Sequence, residues 1–95
     1  MNIQIHSIHF SLDKSLKDFI NKRLDKLISI DEKIIKTDVY LKMDRRESYN
    51  NKIIEIKIHS NLGEYFAKKQ SDSFEESIDL VCQALRKQIL KNKEK

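Results

Sequence analysis

One segment near the middle of the chain alternates strictly between apolar and polar side chains. In KIIEIKIHS, at positions 52–60, Ile54, Ile56 and Ile58 fall on one face of an extended strand, opposite charged and polar residues. Successive side chains of a strand point to opposite faces, so this segment predicts a strand with one buried face and one solvated face. A sheet built from such strands needs a covering layer on one side only.

Three further segments predict strands. NIQIH at 2–6 and KTDVYLKMD at 36–44 alternate in the same way, and EYFAKK at 64–69 predicts a short fourth strand. The polar segment DRRESYNN at 44–51 is typical of a hairpin loop, and SNLG at 60–63 is typical of a turn.

Two other segments have the period of a helix. The first begins near Asp13, where either Asp13 or Ser11 can cap the start. The second begins at SFEE, a capping box in which Ser73 accepts a hydrogen bond from the Glu76 amide and Glu76 reaches back. The apolar stripes consist of Leu16, Phe19, Ile20, Leu24, Leu27 and Ile28 in the first helix, and of Phe74, Ile78, Val81, Cys82, Leu85 and Ile89 in the second.

The predicted order of elements is therefore β-α-β-β-β-α. Since the strands have a single apolar face, both helices should pack on one face of a four-stranded mixed sheet, with the first strand parallel to the second. This is an α+β fold of two layers, formed by a single domain over residues 1–95. The expected core contains Ile5, Leu24, Leu27, Val39, Leu41, Ile54, Ile56, Ile78, Val81 and Leu85.

Composition indicates a cytoplasmic protein. No apolar run approaches the roughly 20 residues that a membrane helix requires, and the first ten residues lack the pattern of a signal peptide. The single cysteine, Cys82, excludes an intrachain disulfide and fits a reducing compartment.

The sequence contains no enzyme motif. One glycine in 95 residues leaves no glycine-rich loop for a phosphate or a dinucleotide. His6, His9 and His59 are expected to be exposed strand histidines rather than metal ligands, and Cys82 a core residue rather than a nucleophile. We therefore predict no catalytic residue, no cofactor, no metal and no small-molecule substrate.

The net charge of +4 is concentrated at one end of the chain. Residues 86–95 contain five of the 19 basic residues and one of the 15 acidic residues, which leaves 14 of each sign elsewhere. This asymmetry favours a polyanionic partner. An ordinary solvated basic tail is the alternative.

On helical wheels, the basic residues form ordered rows. Lys22 and Lys26 share a flank of the first helix that is expected to be free of acids, and Arg23 lies at the edge of the apolar stripe. On the second helix Lys87, Lys91 and Lys95 follow one another at four-residue spacing, with Arg86 and Lys93 on the other flank. Cations also complement the dipole at a helix C-terminus, which accounts for one or two of these charges. We interpret the remainder as phosphate-binding.

Three further residues have open roles. Arg45 and Arg46 in the hairpin loop can either contact RNA or pair with Asp44 and Glu47. Tyr40, on the polar face of the sheet, could stack on a base, but the strands lack the aromatic pattern of an RNA-recognition motif.

The chain resembles the short ribosome hibernation promoting factors, also called ribosome-associated translation inhibitors. After the N-terminal strand, the segments LKDFINKRLDKL, VYLKM and FEESIDLVCQALRKQILKNKEK follow the family's pattern in order. The last segment is the most specific, with Ile78 and Asp79 followed by the run Leu85, Gln88, Lys91 and Lys93.

The resemblance implies the same β-α-β-β-β-α fold and a ribosomal partner. Family members bind the small ribosomal subunit in the channel used by messenger and transfer RNA, and so block translation and protect idle ribosomes. Their basic helix residues touch ribosomal RNA, and the matching positions here are Lys22, Arg23, Lys26, Arg86, Lys87, Lys91, Lys93 and Lys95. Because the dimerising C-terminal domain of long members is not part of this sequence, we expect a monomer off the ribosome.

Two other functions compete with this one. A general structured-RNA-binding protein would use the same basic helices without choosing the ribosome. A protein-interaction module would dock its basic helix on an acidic partner, and its affinity for RNA would lack a steep dependence on salt.

Overall fold

A computed structural model of the chain describes residues 2–93. Six elements follow one another in the predicted order. They are β1 (Ile3–Ser7), α1 (Lys14–Ile28), β2 (Ile34–Met43), β3 (Lys52–Ser60), β4 (Gly63–Ser71) and α2 (Phe74–Lys93).

The four strands form one mixed sheet in the order β1-β2-β3-β4. β1 pairs with β2 in parallel, whereas β2 with β3 and β3 with β4 are antiparallel. The predicted crossover through α1 is therefore confirmed. β4 is longer than the predicted segment 64–69, because it pairs with β3 along the whole length of that strand, from Gly63 opposite Ser60 to Ser71 opposite Lys52.

The core lies between one face of the sheet and both helices. Ile5, Val39, Ile56 and Ala67 form one row across the four strands, through the pairs Ile5 with Val39, Val39 with Ile56, and Ile56 with Ala67. Of the predicted core, only Ile5 is half-buried, since β1 is an outer strand. The buried helix residues that cover the sheet include Ile20, Leu24, Leu27, Ile78, Val81, Leu85 and Ile89.

Polar side chains fix both helix starts. The Asp13 carboxylate accepts from the Leu16 amide at 2.7 Å, so Asp13 rather than Ser11 caps α1. Ser73 Oγ accepts from the Glu76 amide at 3.0 Å. Among the hydrogen bonds of residues 2–93 the return bond from the Glu76 side chain is missing, so only half of the predicted capping box forms.

The two helices begin at the same end of the sheet and run in the same direction. At the start, the rings of Phe10 and Phe74 stack with centroids 5.4 Å apart. At the other end, Lys93 Nζ donates to the Ile30 carbonyl just beyond α1. The negative ends of both helix dipoles therefore lie side by side.

The outer edge of β4 is partly covered by α2. The Gln88 side chain accepts from the Phe66 amide at 3.3 Å and donates to the Phe66 carbonyl at 2.8 Å. This side-chain amide takes the place of a neighbouring strand at one residue, which protects an edge that could pair with another chain.

Leu85→Ala tests the burial of α2 against the sheet. Leu85 is fully buried, so its truncation should lower the free energy of unfolding by about 2–5 kcal/mol. Leu90→Ala is the matched control on the same helix, because Leu90 is 38% exposed and should cost about 0.5 kcal/mol. Urea denaturation of both variants gives the comparison, and equal shifts in midpoint would contradict the placement of α2.

Candidate nucleic-acid interface

The two helices enclose an open groove on the outer surface of the domain. Its volume is about 540 Å³. Neighbouring turns of each helix place their side chains along it, since residues three and four apart share a helix face. The lining comprises Arg23, Lys26, Leu27, Ser29 and Ile30 from α1 and the residues after it, and Asp79, Cys82, Gln83 and Arg86 from α2.

Arg23 is held firmly at the wall of this groove. Its Nε donates to Asp79 Oδ1 at 2.7 Å, and its guanidinium lies 4.6 Å from the centroid of the Phe19 ring. Within residues 2–93, no ion pair joins Lys22, Arg23 or Lys26 to an acid of α1 itself, and the acid that does reach Arg23 was not expected. The acid comes from α2, 56 residues further along the chain, and helical spacing within α1 cannot reveal it.

The structure brings together only part of the predicted set. Arg23, Lys26 and Arg86 line the groove between the helices. Lys22 is exposed on the outer side of α1 and does not line the groove.

Lys87 and Lys91 lie on the opposite flank of α2. Lys91 lines a second open cavity of about 330 Å³ together with Leu62, Glu64 and Tyr65, at the side of β4. Lys87 is exposed one turn earlier on the same flank. The basic residues therefore occupy both flanks of α2 rather than the groove alone.

Lys93 and Lys95 are the last two predicted positions. Lys93 reaches the Ile30 carbonyl at the C-terminal end of α1, where a cation complements the helix dipole. Lys95 lies outside the described residues.

Most lysines on the open face of the sheet have an acidic neighbour, and Lys57 of β3 has no ion pair within residues 2–93. The Glu55 carboxylate forms ion pairs with Lys42 Nζ at 2.7 Å and with Lys68 Nζ at 3.8 Å. Lys36 lies 3.6 Å from Asp38 on the same face. The two pairs with Glu55 join neighbouring strands, and together with the pair within β2 they leave less net charge available to a polyanion than the residue count suggests.

The aromatic and histidine side chains on the same face contact other residues of the domain. The rings of His6 and Tyr40 stack at 4.8 Å between centroids, so one face of the Tyr40 ring is already covered. His59 Nδ1 lies 2.8 Å from Glu64 Oε1.

The two arginines of the hairpin loop, Arg45 and Arg46, differ in their contacts. Arg46 donates to both carboxylate oxygens of Asp44, at 3.0 and 3.2 Å, and these bonds hold the pKa of Asp44 below its ordinary value. Arg46 therefore pairs within the loop. Arg45 has no ion pair with any residue in the described part of the chain.

Sequence reasoning missed Asp79 and Phe19 as parts of the site. Asp79 belongs to the family-like pattern in α2, but nothing in its own helix signals a partner on α1. The helical wheel of α2 does place Asp79 beside Arg86, on the flank that faces α1. That shared flank was the available signal.

The family of the chain follows from a match over almost its whole length. The sequence model described as sigma 54 modulation protein / S30EA ribosomal protein matches residues 3–95. The chain belongs to this family. No curated protein shows significant sequence similarity to it.

Two solved structures have the fold of this S30EA family member. A ribosomal subunit interface protein from Coxiella burnetii matches with a TM-score of 0.89 and 20% identity, over 100% of both chains. The N-terminal domain of Protein Y from Thermus thermophilus matches with a TM-score of 0.79 and 18% identity, over 94% of this chain and 96% of that one. At such identities the likeness establishes the fold.

Family membership confirms the resemblance to the ribosome hibernation factors. The chain is thus a ribosome-associated protein of translation regulation, and its family is not an enzyme family. Over residues 2–93, no three His, Cys, Asp or Glu side chains are grouped so as to hold a metal ion. Neither described helix is long and apolar enough to cross a membrane.

Cys82 lines the groove between the two helices and packs against the core. Burial raises the pKa of its thiol from 9.0 to about 11, with Asp79 adding to the shift and Arg23 opposing it. The folded state therefore keeps the thiol proton to a higher pH than the unfolded chain. The resulting stability is complete below pH 9 and is lost as the pH rises towards 11.

Alkylation of Cys82 by iodoacetamide tests this environment. At pH 8 the native thiol should hold about 100-fold less thiolate than the same residue in the urea-unfolded chain, because its pKa is about two units higher. The native rate should be slower by at least that factor. Equal rates in the native and unfolded chains would mean that the thiol is exposed and ionises normally.

Proposed function

We propose that this chain binds the small ribosomal subunit at the channel for messenger and transfer RNA and contacts ribosomal RNA phosphates with its helix layer. Binding there inhibits translation and protects idle ribosomes in the cytoplasm. Family membership supports the ribosomal partner, and the distribution of compensated charge supports the choice of surface.

The observation that carries the proposal is the contrast between the two layers. Within residues 2–93, six of the predicted contact residues on the helices have no carboxylate within 4.0 Å, and among the predicted set only Arg23 has an ion pair. On the open sheet face Lys36, Lys42 and Lys68 have acidic neighbours, and Lys57 has no ion pair within the described residues. The six predicted contact residues without a described acidic neighbour are Lys22, Lys26, Arg86, Lys87, Lys91 and Lys93.

Phosphate is the ligand that such a layer suits. Lysine and arginine side chains along two parallel helices offer point charges and planar donors, and no ordered set of side chains for reading bases accompanies them. Structured RNA presents its backbone in a fixed shape, so recognition would rest on shape and phosphates. The predicted contacts are those of the helix layer together with Lys93 and Lys95.

The off-ribosome state proposed here is a monomer. Gln88 covers the middle of the β4 edge, which removes the simplest route to pairing between two sheets.

Two charge-matched double variants test the choice of surface. Lys87→Gln with Lys91→Gln removes two charges from α2, and it should weaken binding to small subunits and lower the salt slope of log Kd by roughly 1.4–1.8. Lys42→Gln with Lys57→Gln removes two charges from the open face, while a glutamine side chain at position 42 can still hydrogen-bond Glu55. Affinity measured across a salt series should change little for this second pair.

The opposite ranking would contradict the proposed surface. If the open-face variant loses affinity and the α2 variant keeps it, the sheet rather than the helix layer contacts RNA. If the well-folded α2 variant keeps the salt slope of the unaltered chain, Lys87 and Lys91 are not phosphate contacts, and this part of the proposed surface is wrong.

A further inference from the structure

Asp79 is the unexpected residue of the interhelical groove. It lines the groove together with Arg23, Lys26 and Arg86. A carboxylate beside a phosphate-binding surface repels the ligand, so charge alone disfavours an acid here. Its placement calls for a benefit that outweighs this repulsion.

The contact with Arg23 uses only one edge of the guanidinium. Nε donates to Asp79 Oδ1, and neither Nη atom has a hydrogen bond to any side chain or carbonyl of residues 2–93. The Phe19 ring covers one face of the group at 4.6 Å. A guanidinium fixed at one edge and one face keeps the donors of its outer edge, the geometry that binds phosphate oxygens in pairs.

The exposure of the Arg23–Asp79 pair indicates that it contributes more to the orientation of Arg23 than to the stability of the fold. The side chains of Arg23 and Asp79 are 42% and 44% exposed. Water screens an ion pair at such a position, and its contribution to folding is correspondingly small. A restrained arginine, by contrast, loses less conformational freedom when it binds than a free one does.

We propose that Asp79 and Phe19 are positioning residues that hold Arg23 in a phosphate-ready orientation within the groove. The inference rests on the proposed function, because the phosphate is that of ribosomal RNA. It adds a role for an acid and an aromatic side chain that no count of basic residues would include.

Charge and positioning predict opposite changes in small-subunit affinity for Asp79→Ala. The variant is more positive by one unit, so electrostatics alone gives tighter binding to the small subunit. Positioning gives weaker binding by about 2- to 12-fold, the cost of ordering one free side chain on binding. Arg23 still reaches its phosphate in this variant, so the salt slope should stay close to that of the unaltered chain. A pair that only joined the helices would reduce stability without weakening binding by the folded protein.

Three companion variants isolate the effect. Asp79→Asn keeps an oxygen that can accept from Nε and should bind at least as tightly as the unaltered chain. Asp25→Ala removes an exposed acid of α1 that has no ion pair within the described residues, and it should bind equally or slightly tighter. In an Arg23→Ala background, Asp79→Ala should no longer weaken binding, because the side chain that it positions is gone.

The measurement is small-subunit affinity over a salt series, with circular dichroism to confirm that each variant is folded. Weaker binding at an unchanged salt slope for Asp79→Ala, with recovery in Asp79→Asn, is the expected result. Affinity for Asp79→Ala equal to or above that of the unaltered chain overturns the positioning role while leaving the proposed function intact. Failure of the unaltered chain to bind small subunits overturns the proposed function, and the positioning role with it.

Discussion

Everything in this molecule depends on the burial of one face of the sheet. Ile54, Ile56 and Ile58 of β3 are fully buried, and their neighbours on β2 and β4 continue the same apolar surface. Since the opposite face is polar, the covering layer can form on one side only. Both helices must therefore lie side by side, and the groove between them is a direct consequence of this packing.

The same constraint orients the charges. The helices run in the same direction from one end of the sheet, so their carbonyl ends lie together, close to Lys93 and the C-terminal half of α2. Cations at that end complement the two dipoles. The helix dipole and phosphate binding can therefore each account for some of the basic residues in the C-terminal segment. The dipole accounts for Lys93, but it does not account for Lys22 or Lys87, which lie away from the helix ends.

Prediction from the sequence succeeded where local period determines structure. The alternation of KIIEIKIHS and the stripe of α2 specify which residues are buried, because each element has a single apolar face. Prediction failed where the decisive contact joins distant segments. The pairing of Arg23 with Asp79 spans 56 residues, and the pairing of Lys42 with Glu55 depends on the register of two strands. Neither is encoded in the spacing within one element.

These long-range pairs change how the charge of the protein is understood. A count of residues gives a modest excess of four positive charges, all of it in residues 86–95. The fold extends this asymmetry, because three of the open-face lysines have acidic neighbours while most cations of the helix layer have no described acidic partner. A protein of small net charge thus presents one face suited to a polyanion.

Directed cleavage of ribosomal RNA from a tethered iron chelate tests this central claim most directly. In a Cys82→Ala background, the chelate is attached to a single new cysteine, either Lys87→Cys on α2 or Lys57→Cys on the open face of β3. The account predicts cleavage from position 87, clustered at the messenger and transfer RNA channel of the small subunit, and much weaker cleavage from position 57. Strong cleavage from position 57 with none from position 87 would show that the sheet faces the RNA and would contradict the account.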